Sequence, residues 1–259
     1  MTDPKRPVQG QAVNFSEAQG IRYLHFGTPW IQGAMRLRNP HELVLDYTQD
    51  MMAWLMLLRP PKRMLQLGLG AGACARFLSH HFLESKQTVV ELHREVILAN
   101  AVMFHTRAHQ GLKIVHDDAK RYLKLSKPEA CSLLLVDLYD ADALGPSCDG
   151  LGFYRSCYRV LQSPGLMVAN LFGSHPSWAP NLEAMTQAFK TVPLALAPGR
   201  AGNVVVIAAK GPSLKWPANR CAAELDAYLY KRATLLSKAL KLPAKRWIDP
   251  MRSYLQASG

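Results

Sequence analysis

The sequence predicts an α/β protein, a mainly parallel sheet covered by helices on both faces, on three observations. An apolar run of strand length, Met64-Leu65-Gln66-Leu67, empties into a loop with glycine at alternate positions, Gly68, Gly70 and Gly72, and Cys74-Ala75-Arg76-Phe77-Leu78 then reads as a helix. From Lys62 onward, apolar runs of strand length alternate with helical patterns. Late in the chain, two strand-like runs are separated only by residues 197–202, too short a connection for a crossover helix, so these two strands are expected to be antiparallel. Together these describe a Rossmann-like seven-stranded sheet with a C-terminal antiparallel hairpin, preceded by a small N-terminal antiparallel β-sheet.

In chain order, residues 1–20 read as a loose polar leader. Residues 21–27 alternate as a strand should, Thr28-Pro29-Trp30 punctuates them, and 34–38 and 42–47 supply two further strands of the small sheet. A helix through 50–58 follows and stops at Pro60-Pro61. Strands of the main sheet are expected at 64–69, 88–92, 113–116, 132–138 and 166–172, with helices starting near Ala73, Arg94, Ala119 and Gly152 and another over 179–190. The runs 192–196 and 203–209 form the closing hairpin. Residues 211–259 add a proline-marked joint and one or two basic amphipathic helices. The expected division is therefore 1–60, a small β-sheet region with a connecting helix; 61–210, the α/β domain; and 211–259, a basic helical extension.

Composition narrows the class. With 49% hydrophobic and 19% charged residues over 259 positions the chain can bury a sizeable core, and it contains no apolar run of membrane-spanning length. The opening Met1-Thr2-Asp3-Pro4-Lys5-Arg6 is no signal peptide, and the five cysteines show no paired spacing, so reduced thiols and a cytoplasmic location are expected. A net charge of +12 leaves a nucleic-acid partner open, but the basic residues are spread through helices and tails as on a solvated surface. His105 and His109 stand at helical i,i+4 spacing without an evident third ligand, so no metal is expected.

The glycine loop carries the functional reading. Gly68, Gly70 and Gly72 let backbone approach a ligand closely, and the helix start beyond them offers unpaired N–H groups to a polar or anionic group. About twenty residues on, the next strand ends in Glu91, where nucleoside-binding α/β folds keep a ribose-binding carboxylate. Gly68-x-Gly70-x-x-Ala73 also fits the tolerant NAD pattern, so a nicotinamide cofactor competes at this point.

A parallel sheet closed by an antiparallel hairpin resembles the S-adenosylmethionine-dependent transferases, and the motifs resemble one family more closely. Residues 62–72, Val90-Glu91, His116-Asp117-Asp118-Ala119-x-x-Tyr122-Leu123, Val136-Asp137-Leu138-Tyr139-Asp140, Phe153-Tyr154 and Leu161-x-x-Pro164-Gly165 stand in the order and near the spacing of the spermidine/spermine synthase (polyamine aminopropyltransferase) family. That resemblance implies an adenosyl sulfonium donor, decarboxylated S-adenosylmethionine or S-adenosylmethionine itself, a small-molecule amine acceptor, a homodimer and no metal. Glu91 is then expected on the ribose hydroxyls, which its two oxygens suit. Asp118 is expected on the adenine amino group, with Asp117 beside it as the alternative and a helix N-cap as a third role.

The same resemblance makes Asp137 the proton acceptor, with Asp140 assisting and Asp140 and Asp142 holding a distal ammonium. The family reads Asp-Ser-Ser-Asp-Pro there, against Asp137-Leu138-Tyr139-Asp140-Ala141 in this chain. Tyr47 and Gln49 match a family Tyr-Gln-Glu-Met segment as pocket wall, and Tyr139 and Tyr154 are candidates to line the acceptor site. Ala71 stands where typical members carry the acid of Gly-Gly-Gly-Asp-Gly-Gly. Two other outcomes stay open: a methyltransferase using S-adenosylmethionine, and a non-catalytic adenosyl-binding homologue.

Overall fold

A computed structural model describes residues 12–138, 149–212, 217 and 221–257. The main sheet has seven strands: β4 (Arg63–Leu67), β5 (Lys86–Glu91), β6 (Leu112–His116), β7 (Cys131–Val136), β8 (Leu161–Phe172), β9 (Leu194–Ala195) and β10 (Asn203–Lys210), in the spatial order β6-β5-β4-β7-β8-β10-β9. The neighbours β6-β5-β4-β7-β8 are parallel. Strand β10 runs against both β8 and β9, so it is the one reversed strand. The short connection after β9 thus does what its length demands: it turns the chain straight back into the sheet.

Both sheet faces are buried, and alternate residues of each strand serve different layers. Leu133, Leu135, Leu166, Val168, Val205 and Ile207 point to one face, while Leu134, Val136, Met167, Ala169, Val204 and Val206 point to the other. The second face is covered by α4 (Ala119–Leu125), α5 (Leu151–Val160) and α6 (Trp178–Phe189). On the first lie α2 (Ala73–His81), the buried run 51–56, and the C-terminal helices α7 (Ala222–Leu240) and α8 (Ile248–Ala257). Leu225, Leu229, Trp247 and Met251 share one apolar cluster with the strands, so residues 222–257 form part of the core layer. Several of their basic groups are committed: Arg232 donates to the Leu55 carbonyl, Arg246 to Asp50 and Arg252 to Asp226.

The N-terminal sheet exists, with two of its three strands where expected and the third supplied by residues 14–18 in place of 42–47. Its strands are β1 (Asn14–Ala18), β2 (Ile21–His25) and β3 (Gly33–Arg36), paired antiparallel in the order β1-β2-β3. Gln19 and Gly20 both have positive φ, 51° and 74°, and turn the polar leader back on β2 in a two-residue hairpin. All five β1 residues are exposed, so no apolar alternation marked that strand. Residues 42–47 are not a strand: α1 (Asp46–Asp50) starts within them, and instead of one helix over 50–58 the chain makes a turn and a short 3₁₀ segment, Ala53–Met56. That segment is buried throughout, and tertiary packing overrides the helical pattern there.

Candidate active site

The site is the C-terminal edge of the parallel strands, where β4 lies between β5 and β7 and the chain departs in opposite directions on either side of it. The glycine loop leaves β4 at that crevice. Gly68 donates to the Val90 carbonyl of β5, while Asp137 donates from its backbone to the Leu67 carbonyl, both bonds 2.8–2.9 Å long. A side chain at 68 has no room, because the backbone is at φ 88° and a β-carbon would stand 2.0 Å from the Asp137 carbonyl oxygen.

Buried polar side chains hold the loop by its carbonyls. Gln66, inside β4, donates to the Gly68 carbonyl (2.7 Å) and accepts from Gln87. Asn100 of α3 (Arg94–Met103) donates to the Gly70 carbonyl (2.6 Å). Arg76 donates to the carbonyls of Ala71, Phe104 and Pro40 and to the Thr106 hydroxyl, which ties the loop to Pro40 and to residues 104–106. Its guanidinium is buried among these neutral acceptors, and burial works against its charge. Gly72, at φ 70°, starts α2 with Thr106 and Asn100 packed where a side chain would go. Ala71 does not face the crevice: it is buried with Leu24, Met35 and Phe104, and Gly33 of β3 packs directly on it.

Glu91 ends β5 almost wholly buried, at 7% exposure. One carboxylate oxygen accepts from the Leu69 N–H of the glycine loop (2.8 Å) and the other from the His93 N–H (2.9 Å). Burial pushes its carboxyl above the ordinary range in spite of these bonds. The Leu92 N–H also bonds this carboxylate, so three backbone donors hold it and one of its four lone-pair positions is left for a hydroxyl. Asp137 lies across the loop at the end of β7, part-buried. It accepts from Asn170 Nδ2 of β8 (3.0 Å) and from the Tyr47 hydroxyl of α1. Desolvation raises its carboxyl, the two donors oppose that, and the charge of Glu91 adds to the rise.

The other expected positions are more dispersed. Asp118 caps α4 by accepting from the Arg121 N–H (2.8 Å), and Asp117 accepts from the Asp118 N–H and pairs with the Arg121 guanidinium. Gln49 turns away from the crevice and donates to the Leu43 carbonyl. Tyr154 is 1% exposed in the packing of α5 on α6, where its hydroxyl donates to Asn181 (2.6 Å). Tyr139, Asp140 and Asp142 lie outside the described residues. Among the described residues, no cluster of three His, Cys, Asp or Glu is arranged to hold a metal ion, and no helix is long and apolar enough to cross a membrane. Sequence reading missed Asn100, Asn170 and Asn203. Asn170 had a legible signal, a polar amide inside an apolar strand run, since such groups are kept only where something bonds them.

No protein-family model matches the chain. A polyamine aminopropyltransferase of Chromobacterium violaceum is 32% identical over 216 residues, covering 82% of this chain and 82% of that protein. This chain belongs to the polyamine aminopropyltransferase family. The polyamine aminopropyltransferase of Neisseria meningitidis is 28% identical over 243 residues, 93% of this chain and 89% of its own length. Solved structures share the fold. A probable spermidine synthase from Corynebacterium glutamicum superposes with a TM-score of 0.68 at 18% identity, over 96% of this chain and 95% of that one. Human methyltransferase-like protein 13 in complex with SAH gives 0.64 at 20% identity, over 77% and 94%. A spermidine synthase in complex with the transition-state analogue AdoDATO gives 0.57 at 17% identity, over 78% and 74%. The fold of this chain is thus shared with spermidine synthases and with a methyltransferase-like protein.

Proposed function

We propose that this aminopropyltransferase-family chain transfers the aminopropyl group of decarboxylated S-adenosylmethionine to a small polyamine in the cytoplasm. One observation carries the reading: two carboxylates, the buried Glu91 and the part-buried Asp137, flank the glycine loop on the strands either side of β4, near enough for the charge of one to act on the other. Glu91, already bonded to the loop, is suited to the ribose hydroxyls of an adenosyl group lying over residues 68–72. Asp117 and Asp118, which directly follow β6, are the carboxylates assigned to the adenine amino group in this reading.

At the reacting centre the acceptor nitrogen attacks the carbon beside the sulfonium. A C–N bond forms, the C–S bond breaks, its electron pair stays on sulfur, and the nitrogen loses a proton. Asp137 takes that proton. An aspartate is intrinsically a weak base toward an alkyl amine, and the desolvation that raises its carboxyl narrows the gap. Tyr47 and Asn170 hold the carboxylate in one orientation; because an aspartate is still a weak base for an amine, most of the rate is assigned to in-line positioning of the two substrates.

One observation favours a second reading, methyl transfer from S-adenosylmethionine. Ala71 offers the donor no acid, and its side chain is turned into the packing beneath the N-terminal sheet. The test is product analysis with putrescine or spermidine and each donor in turn. Aminopropylated product together with methylthioadenosine supports the proposal. Methylated product instead sinks it, and donor binding without any turnover leaves an adenosyl-binding protein.

A further inference from the structure

We infer that Asn203 is a positioning residue for Asp137, acting through Asn170. The inference rests on the reading of Asp137 as the proton acceptor. Asn170 Nδ2 stands 3.0 Å from Asp137 Oδ1, and Asn203 Nδ2 stands 3.1 Å from Asn170 Oδ1. The three residues come from β10, β8 and the end of β7, so an amide chain crosses the sheet and ends on the carboxylate.

The second amide has a defined task. A primary amide beside a carboxylate has two orientations of nearly equal shape, and packing hardly distinguishes them. One turns the NH₂ toward the carboxylate and bonds it; the other turns the amide oxygen toward it and repels it. Asn170 is 3% exposed, so it cannot obtain its partner from bulk water. Asn203 donates to the oxygen side of Asn170 and thereby selects the orientation that leaves the NH₂ for Asp137.

The hairpin aims Asn203. It is the first residue of β10, one past Gly202 at φ 86°, and its own carbonyl accepts from the Gly199 N–H at 2.8 Å. Val205 pairs with Asn170, so Asn203, two residues earlier on the same face, is the diagonal neighbour within side-chain reach. The titratable groups that bear on Asp137 are Tyr47 from α1, Glu91 from the end of β5 and the Cys74 thiol of α2. Against the desolvation and the Glu91 charge, the donors Asn170 and Tyr47 pull the carboxyl back down, and Asn203 secures one of the two.

The test uses the full chain with aspartate labelled at the side-chain carboxyl carbon, following the Asp137 signal (identified by its loss in Asp137→Asn) by ¹³C NMR as pH is raised. Asn203→Ala, Asn203→Asp and Asn170→Leu should each move the Asp137 midpoint upward, by about one pH unit, the size expected for a lost hydrogen bond to a charged group. The acid limb of kcat/KM for aminopropyl transfer should move with it, while affinity for methylthioadenosine stays the same. An Asp137 midpoint unmoved in both Asn203 variants overturns the inference, even if their activity falls. If the wild type transfers no aminopropyl group, the proposed function fails but the midpoint still decides the positioning role. If Asn170→Leu does not fold, the two Asn203 variants decide alone, because residue 203 is a half-buried strand end.

Discussion

Gly68 and the backbone of Asp137 are packed so closely that a β-carbon at residue 68 would lie 2.0 Å from the Asp137 carbonyl oxygen. The glycine loop and the proposed base are therefore in backbone contact. Gly68→Ala also forces an L side chain to φ 88°. It should lower stability by about 1–3 kcal/mol through overpacking and strain, and reduce turnover more than that loss of folded protein explains. Urea unfolding and kcat measured on the same preparation check this; a variant with unaltered kcat would show that the contact is not catalytic.

Asp137→Asn should separate activity from stability. Burial raises the Asp137 carboxyl in the folded chain above its unfolded value. Between those two values the native state binds the extra proton, so this group's contribution to stability falls as pH rises and stays unfavourable above the window. The variant should lose turnover by about 10²–10⁴-fold, the range of general-base catalysis. It should equal or exceed the wild type in neutral-pH stability, with a shallower decline across the acid range. Thermal melts from pH 4 to pH 8 read the slope.

Glu91→Ala removes the acceptor for the Leu69 and His93 N–H groups as well as the proposed ribose ligand. Methylthioadenosine affinity measured by calorimetry should weaken by about 1.5–3 kcal/mol, the scale of bonds to a charged group. Tighter binding of NAD than of any adenosyl sulfonium compound would refute the assignment of the loop.

Gly33 seats the N-terminal sheet on the glycine loop, for a β-carbon there would come within 2.5 Å of the Ala71 methyl and 2.9 Å of the Ala71 nitrogen. Gly33→Val should lift β3 off residues 68–72 and weaken methylthioadenosine binding by about tenfold, the equivalent of 1.4 kcal/mol. Far-ultraviolet circular dichroism should stay the same, because the main sheet does not depend on that contact.

The C-terminal helices are tied to α1 through Asp50, which is 6% exposed and accepts from Trp247 Nε1 (2.5 Å) and Arg246 Nη2 (2.7 Å). Asp50→Ala strands a buried indole N–H. Arg246 keeps access to water, so the expected cost is about 2–3 kcal/mol, below that of breaking a fully buried pair. Urea denaturation measures it. Because the same helices cover the core, unfolding should remain a single transition.

Much of the α/β frame was legible because both its faces are buried. Runs such as Leu133 to Val136 have to be strands when every side chain is covered, and residues 197–202 had to reverse the chain because a crossover does not fit. The glycine loop was legible for a related reason: glycines at 68, 70 and 72 answer to local backbone conformation, φ 88°, 51° and 70°. Strand β1 was not legible. Its residues face solvent, and only pairing with β2 makes them a strand.

The sequence by itself determined the elements whose cause is local or periodic: the buried strands, the glycine turn, the carboxylates at strand ends and the closing hairpin. Tertiary structure alone decided which side chains meet. Nothing in the spacing brings Tyr47, Asn170 and Asn203 to Asp137, turns Tyr154 into the α5–α6 packing, or buries Ala71 under Gly33. Those contacts join residues far apart in the chain. Their geometry follows from strand order and register, and the sequence of any single segment does not encode it.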